Sequence, residues 1–230
     1  MKYLDLYTNS GLMLALDMED ALEAEAIIAD HREFIDAIKL GSTILVSPRG
    51  GMGFISRVYK EYDLPVLIDA KLKDVLHVLL STIRSYRAHG AAAVTCWADV
   101  GRETIQFLIT NLSNDLDIVV LTALTSLHLK DIEQSAKDNI LMAVEVGCRF
   151  IQIPGNYPEL ISWARRKIPS EVKIISCGIG RQGGQIGDAI RCGADYEIIG
   201  RYILDSDDMR SAFRDCAGVI RQRVSERCVS

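Results

Sequence analysis

Residues 65–74 read PVLIDAKLKD, and this stretch carries the strongest indication of the fold. A short, continuously apolar run is typical of a strand that is buried on both faces, as strands are in parallel sheets. Charged side chains follow the run immediately, at Asp69, Lys71 and Asp74. A charge inside such a sheet is costly unless it is paired. We therefore expect these side chains at the carboxyl end of a barrel strand, where they can be paired and reach solvent.

Segments of the same short apolar character recur along the chain, and helical patterns lie between them. The predicted strands span residues 12–16, 34–40, 65–68, 91–96, 117–121, 149–153, 172–177 and 196–200. The predicted helices lie near residues 20–30, 51–62, 74–89, 101–112, 130–146, 157–167, 185–192 and 207–225. Eight strand-then-helix units in 230 residues favour an α/β fold of the (β/α)8 TIM barrel type. An open doubly wound sheet is the alternative, because a count of units does not reveal closure.

The composition is typical of a soluble globular protein, with 49% hydrophobic and 25% charged residues. Only five prolines occur, and no stretch rich in serine, glycine and proline divides the chain, so we expect residues 1–230 to form a single domain. The formal net charge of −5 argues against nucleic acid or an anionic membrane as the main partner. A small anionic ligand remains compatible with it, since a local pocket can be positive on an acidic protein.

The number and spacing of the cysteines indicate whether the protein binds a metal and whether its compartment is reducing. The six cysteines are Cys96, Cys148, Cys177, Cys192, Cys216 and Cys228. They form no CxxC pair, and no histidine cluster has metal-ligand spacing, so no metal is expected. Scattered thiols suit a reducing compartment, and we expect a cytoplasmic protein. The first ten residues lack the apolar core of a signal peptide, and no run of 18 apolar residues predicts a membrane-spanning helix.

The first three predicted strands carry charges at or just beyond their carboxyl ends. Asp17 follows the first strand, and Lys39 lies near the end of the second. Asp69 and Lys71 are two residues apart, which on a strand places both side chains on the same face. Asp74 follows where the third helix begins, and the flanking carboxylates favour the ammonium form of Lys71. We expect all five side chains at one end of the barrel.

Each of these charges also has a structural explanation. Asp17 and Asp74 could be the N-caps of the helices that follow them. Lys39 could be a surface lysine whose stem is buried and whose charged end reaches water. Asp69 and Lys71 could form an ion pair with no other role. A functional site is favoured because all of these explanations would otherwise have to hold at the same end of the barrel.

A glycine-rich segment, CGIGRQGGQIG at residues 177–187, follows the seventh predicted strand. Glycines let backbone N–H groups approach an anion closely. The eighth predicted strand ends at Gly200, and Arg201 follows it. Barrels often bind phosphate between the loops after strands seven and eight, where Arg201 would be a bidentate cation and Gln182 a neutral donor. The alternative is a mobile surface loop with a surface arginine.

The charged residues and the glycine-rich segment together resemble the orotidine 5′-monophosphate decarboxylase family in its short archaeal form, over nearly the whole chain. The residues that carry the resemblance are Asp17, Lys39, the row Asp69-x-Lys71-x-x-Asp74, the loop at Gln182-Gly-Gly, and Gly200-Arg201. The DxKxxD row is shared with sugar-phosphate enzymes such as 3-keto-gulonate 6-phosphate decarboxylase and hexulose phosphate synthase. Those relatives carry an acidic residue, often with a metal, where this chain has Lys39, so Lys39 favours the orotidylate enzymes.

The resemblance implies a lyase without cofactor or metal that converts orotidine 5′-monophosphate to UMP and carbon dioxide, the last step of de novo pyrimidine nucleotide synthesis. It implies that Lys71 protonates C6 as carbon dioxide leaves and that Asp69 lies beside the substrate carboxylate. Lys39 would position Asp69 and bind the ribose, and Asp17 would also bind the ribose. Asp74 would enter the neighbouring site across a homodimer interface.

The resemblance also implies which residues contact the phosphate and the pyrimidine of the substrate. Arg201 and Gln182, with Gly200 beside them, would hold the phosphate. Thr125 would hydrogen-bond the pyrimidine where a serine is usual, and the adjacent Ser126 is the alternative for that contact. Two other functions remain open at this stage. One is a magnesium-dependent sugar-phosphate enzyme on the same fold, and the other is a barrel that binds a phosphorylated ligand without catalysis.

Overall fold

A computed structural model describes Leu4, residues 10–112 and residues 116–227. Eight strands occur in these ranges: β1 (Leu12–Leu16), β2 (Ala37–Leu40), β3 (Val66–Leu72), β4 (Ala93–Trp97), β5 (Asp117–Leu121), β6 (Phe150–Pro154), β7 (Lys173–Cys177) and β8 (Tyr196–Ile199). Each strand pairs in parallel with its neighbours in sequence, and β8 pairs with β1. The sheet is therefore a closed barrel, which confirms the predicted (β/α)8 fold and excludes the open sheet.

Helices surround this barrel, and in the described ranges they number ten. They are α1 (Ala21–His31), α2 (Ser42–Val46), α3 (Gly51–Tyr62), α4 (Leu76–Ala88), α5 (Arg102–Leu112), α6 (Leu129–Glu145), α7 (Pro158–Lys167), α8 (Asp188–Arg191), α9 (Arg201–Leu204) and α10 (Met209–Arg227). Short 3-10 turns at Arg32–Phe34 and Ala98–Val100 complete the connections. None of these helices has an apolar stretch long enough to cross a bilayer.

Alternate residues of each strand pack on opposite sides of the barrel wall. In β1, Leu12, Leu14 and Leu16 are buried against the helices, whereas Met13 and Ala15 belong to the barrel interior. The same interior cluster contains Ala37, Leu67, Ala93, Val119, Phe150, Ile175, Tyr196 and Ile198. Because helices cover the outside and side chains fill the inside, both faces of each strand must be apolar, which is why the strands read as continuous apolar runs.

The predicted bounds of β2 and β3 were wrong at one end each. β2 begins at Ala37 and not at residue 34, because Arg32–Phe34 forms a 3-10 turn. β3 continues to Leu72, four residues beyond its predicted end. Its pairing with β4 shifts in register between Ile68 and Leu72. Asp69 and Lys71 thus lie within an irregular strand end, whereas Asp74 lies two residues beyond it.

Two short helices, α2 and α9, had no counterpart among the predicted helices. They follow β2 and β8 directly and contain five and four residues, which is too short to show a helical apolar period. Gly41 and Gly200 occupy the residues before them. The second and eighth connections therefore turn sharply at the carboxyl end of the barrel.

The first residues of α1 and α4 show whether Asp17 and Asp74 are helix N-caps. Asp20 caps α1 by accepting hydrogen bonds from two N–H groups of the first turn at 2.9 and 3.4 Å. Asp17 is therefore not the cap of this helix. Val75 is the N-cap of α4 and makes no side-chain cap bond, while the Asp74 carboxylate accepts from the adjacent Val75 N–H at 2.7 Å. The cap explanation was wrong for both aspartates.

Glu197 joins β8 to the end of the glycine-rich segment. Its side chain is fully buried, and its carboxylate accepts hydrogen bonds from the N–H groups of Gly187 at 2.8 Å, Ala189 at 3.0 Å and Ile190 at 3.3 Å. Burial raises the pKa of Glu197 from 4.5 to about 7, and the three N–H donors oppose part of that rise. This carboxyl group fixes the start of α8 to the barrel wall.

The buried Glu197 predicts a pH dependence of stability. Between about pH 4.5 and 7 the unfolded chain releases the proton of Glu197 while the folded chain keeps it. The contribution of Glu197 to the free energy of unfolding is therefore complete below pH 4.5 and falls by up to about 3 kcal/mol as pH rises through 7. Urea unfolding of the native protein and of Glu197→Gln at pH 5 and pH 8 measures it. A difference between the two proteins that does not change with pH would contradict the prediction.

Candidate active site

A cavity of about 460 Å³ lies at the carboxyl end of the barrel. Eight of the ten residues predicted for the site line it: Asp17, Lys39, Asp69, Lys71, Thr125, Gln182, Gly200 and Arg201. They come from the ends of β1, β2 and β3 on one side and from the segments after β5, β7 and β8 on the other. The structure thus brings these eight residues together around one cavity.

Four side chains of alternating charge, Asp17, Lys39, Asp69 and Lys71, form what we call the charged row. Asp69 Oδ2 lies 2.9 Å from Lys39 Nζ and 2.6 Å from Lys71 Nζ, and Lys39 Nζ lies 3.2 Å from Asp17 Oδ2. The side chains of Lys39 and Asp69 are 9% and 3% exposed, against 43% for Lys71 and 49% for Asp17. The centre of the row is thus buried and its two ends reach the cavity. Lys39 is therefore not a surface lysine.

The pKa values of the two central groups show how the charged row is stabilised. Burial alone would lower the pKa of Lys39 and raise that of Asp69. The attraction of opposite charges outweighs burial, because the carboxylates of Asp69 and Asp17 raise the pKa of Lys39, and Lys39 and Lys71 lower the pKa of Asp69. Both groups are therefore ionised at neutral pH.

A glycine lies beside the outer end of the charged row. A Cβ at Gly41 would collide with Asp17 Oδ1, so a larger residue would displace the Asp17 carboxylate from its present contact with Lys39.

A buried threonine supports the inner end of the charged row. Lys71 has a φ of +47°, in the left-handed region that non-glycine residues seldom adopt at a cost of about 1–3 kcal/mol. Its backbone N–H donates to Thr95 Oγ1 at 2.8 Å, and Thr95 Oγ1 donates to Asp69 Oδ1 at 3.0 Å. Sequence reasoning missed Thr95 because it followed charges. The available signal was a polar residue two positions after Ala93 in an apolar strand, on its inward face.

Gln152 and Cys177 add neutral polar groups to the cavity, and sequence reasoning assigned neither of them to the site. Gln152 Nε2 donates to Cys177 Sγ at 3.3 Å, and the buried Gln152 Oε1 has no protein partner among the described residues. Burial raises the pKa of the Cys177 thiol to about 11, so the thiol is neutral. A glutamine two positions after Phe150, an interior residue, was the signal in the sequence.

The glycine-rich segment forms the opposite wall of the cavity. Gly180 N–H donates to the Gly184 carbonyl at 2.6 Å, and Gly184 N–H donates to the Gly178 carbonyl at 3.1 Å. Four glycines of the segment have φ between +78° and +99°. A Cβ at Gly178 would collide with Thr125 Cγ2. The segment is therefore a hydrogen-bonded turn, and Gln182 within it lines the cavity.

Two arginines line the cavity, and the two remaining predicted residues do not. Arg201 begins α9, and Arg181, which sequence reasoning did not assign to the site, pairs with Asp205 at 3.1 Å. Ser126 is exposed and does not line the cavity, in contrast to its neighbour Thr125. Asp74 is exposed and lies outside the cavity of its own chain.

The arrangement gives the cavity two chemically different ends. At one end Lys71 presents an ammonium group next to the buried carboxylate of Asp69. At the other end Arg201 and the glycine-rich segment offer a guanidinium and backbone N–H groups, which suit a phosphate. No group of three or more His, Cys, Asp or Glu side chains in the described part of the chain could hold a metal ion. Both ends belong to one cavity of about 460 Å³, a volume typical of a site for a small-molecule ligand.

Comparisons with known proteins point to one family. A family model described as "Orotidine 5'-phosphate decarboxylase / HUMPS family" matches residues 10–216. The chain is 33% identical over 215 residues to the orotidine 5′-phosphate decarboxylase of Methanosarcina acetivorans, covering 93% of this chain and 96% of that protein. The Pyrococcus furiosus protein of the same name is 30% identical over 87% of this chain and 93% of its own. A crystal structure of orotidine 5′-phosphate decarboxylase from Pyrococcus horikoshii OT3 has a TM-score of 0.80 and 28% identity, covering 91% and 99% of the chains.

The buried position of Lys39 predicts a large stability difference between two equivalent substitutions. Lys39→Met leaves the buried Asp69 carboxylate with one ammonium partner instead of two, so we expect the free energy of unfolding to fall by about 3 kcal/mol. The matched control is Lys73→Met, which breaks an exposed ion pair with Asp99 and should cost about 0.5 kcal/mol or less. Urea unfolding at pH 7 measures both. Equal losses would show that the charged row is not stabilised as described.

Proposed function

The chain belongs to the orotidine 5′-phosphate decarboxylase / HUMPS family, and we propose that it converts orotidine 5′-monophosphate to UMP and carbon dioxide. The reaction is the last step of pyrimidine nucleotide synthesis. The observation that carries the proposal is the cavity itself, which is lined both by the charged row and by Arg201 and the glycine-rich segment. Near-full-length relatives named for this activity support it. We further propose that the whole chain acts as one domain in the cytoplasm.

The proposed reaction needs a proton donor at a carbon atom. When the bond from C6 to the carboxylate breaks, its electron pair stays on C6 and carbon dioxide leaves. The Lys71 ammonium stabilises that charge and gives its proton to C6, after which the neutral amine takes a proton from solvent. The contact of 2.6 Å with Asp69 supports this role, because it holds Lys71 Nζ at the inner end of the cavity.

Asp69 acts on the other reacting group. Its carboxylate lies beside the substrate carboxylate in the bound complex, and the repulsion between them is relieved as carbon dioxide forms. This role requires Asp69 to stay ionised although it is buried. The lowered pKa of Asp69, produced by Lys39 and Lys71, meets that requirement.

The other contacts divide between the remaining parts of the substrate. Asp17 and Lys39 bind the ribose hydroxyls, and Thr125 hydrogen-bonds the pyrimidine, because it and not Ser126 lines the cavity. The phosphate is held by Gln182 and by Arg201, which follows Gly200. Phosphate binding far from C6 contributes to catalysis when the interactions it drives are complete only in the transition state.

We propose a homodimer in which Asp74 completes the cavity of a second copy, close to Lys71. The carboxylate of Asp74 is exposed and lies outside the cavity of its own chain. The next residue, Val75, is apolar and 57% exposed, as expected of a residue that a partner subunit covers.

The decisive assay is loss of orotidylate absorbance with the purified protein and no added metal. We expect turnover by the native protein and a decrease of at least about 10³-fold in kcat for Lys71→Ala, since this variant lacks both the proton donor and the stabilising charge. Lys73→Ala, at an exposed lysine two residues away, is the control and should keep native activity. Turnover of a sugar phosphate such as 3-keto-gulonate 6-phosphate with an absolute magnesium requirement would favour the alternative enzyme class. Binding of orotidylate without turnover would favour the non-catalytic barrel.

A mixing experiment tests the shared site. Lys71→Ala and Asp74→Ala should each be nearly inactive alone. After subunit exchange a mixed dimer has one site with both substitutions and one site with neither. Random exchange should therefore restore about one quarter of native activity. Exchange is verified by mass spectrometry of differently tagged subunits, and no recovery after verified exchange would contradict a site shared between subunits.

A further inference from the structure

We propose that Thr95 is a positioning residue of this site, whose hydroxyl sets both the backbone of Lys71 and the orientation of the Asp69 carboxylate. The inference rests on the proposed function, because it concerns how the two reacting side chains are held. Thr95 itself is fully buried and does not line the cavity. It therefore acts through other residues and does not touch the substrate.

The pairing of β3 with β4 gives Thr95 its position. Ile68 pairs with Val94, and the next pair is Leu72 with Cys96. Three residues of β3, numbers 69–71, therefore face the single residue Thr95 on β4. This is a bulge, in which the regular ladder of backbone hydrogen bonds is interrupted.

The Thr95 side chain replaces the missing ladder bond. The N–H of Lys71 donates to Thr95 Oγ1 at 2.8 Å. A buried N–H without an acceptor is unfavourable, so this bond stabilises the left-handed φ of +47° at Lys71. Asp69 and Lys71 are the first and last residues of this bulge, and Lys71 Nζ lies 2.6 Å from Asp69 Oδ2.

The same hydroxyl orients the carboxylate. A threonine hydroxyl has one proton to donate, and with its lone pair used on the Lys71 N–H that proton is directed to Asp69 Oδ1 at 3.0 Å. Thr95 thereby holds Asp69 Oδ1, while Asp69 Oδ2 contacts Lys39 at 2.9 Å and Lys71 at 2.6 Å. One side chain thus fixes the carboxylate rotation and the ammonium position together.

Protonation of Asp69 distinguishes a positioning role of Thr95 from a purely structural one, and it depends on the groups that face Asp69. Lys39 faces Asp69 from β2, Lys71 faces it from β3, and the neutral thiol of Cys177 approaches from β7. Thr95 from β4 is the hydroxyl donor to Asp69. Removing it should make protonation of Asp69 easier, since a donor to a carboxylate favours its charged form. Loss of packing alone would leave that protonation unchanged.

The test compares Thr95→Val, Thr95→Ser and a matched control, Thr122→Val. Thr122 is also buried, and its hydroxyl donates to the Gln152 backbone carbonyl at 2.8 Å, so the control loses a buried hydrogen bond outside the charged row. We expect kcat of Thr95→Val to fall about 100-fold with little change of KM, because displaced reacting groups lose rate and not affinity. Thr95→Ser keeps the hydroxyl and should restore most of the activity, and the control should resemble the native protein.

The pH dependence of kcat distinguishes the two roles, because a purely structural role of Thr95 would leave it unchanged. In Thr95→Val the acid limb of kcat should shift to higher pH, because Asp69 becomes protonated more easily. If Thr95→Val matches Thr122→Val in kcat and in its acid limb, the positioning role is overturned. If Thr95→Val does not fold, Thr95→Cys provides the same comparison, since a thiol is a weaker donor and acceptor than a hydroxyl.

A second measurement separates this inference from the proposed function. Carbon-13 NMR of aspartate-labelled protein follows the Asp69 carboxyl titration without any turnover, with Asp69→Asn giving the assignment. A midpoint that is higher in Thr95→Val than in the native protein supports the inference even if orotidylate is not the substrate. Identical midpoints would overturn it even if the native protein turns over orotidylate.

Discussion

A single carboxylate, that of Asp69, is shared between two ammonium groups at the end of an otherwise apolar barrel interior, and the site is arranged around this contact. Burial disfavours the ionised carboxylate, and the two lysines more than offset that penalty. The interaction needs the neighbouring strands β2 and β3 to end side by side, which parallel pairing in a closed barrel provides. Deeper in the barrel the interior cluster is apolar, so it offers no partner to the charges of the row.

The barrel and most of the site residues could be predicted from the sequence because their signals are local. Strands covered on both faces are continuously apolar, and a charge directly after such a run marks its carboxyl end. The end of β3 was not predictable in this way, because its length and its bulge depend on pairing with β4. The short helices α2 and α9 contain too few residues for a period to be visible. In these places tertiary contacts, and not local preference, determine the structure.

Neutral polar residues were the main omission. Thr95 and Gln152 lie on the inward face of β4 and β6 at the level of the charged row, but recognising this requires the strand register. A threonine within an apolar strand is ordinary, whereas an aspartate there is not. The hydroxyl and amide groups nevertheless complete the polar layer that Asp69 begins. Residues two positions after an interior apolar residue also point into the barrel. Neutral polar residues at such positions are therefore candidates for the site, as charged ones are.

The neutral thiol of Cys177 has a consequence for inhibitor chemistry. It lines the cavity, but a pKa of about 11 leaves only about one molecule in 10⁴ as thiolate at pH 7. Alkylating reagents and peroxides attack the thiolate, so the cysteine is a poor target for them despite its position. Covalent warheads directed at this site would therefore gain little from Cys177, and reversible ligands that reach Gln152 beside it are the better starting point.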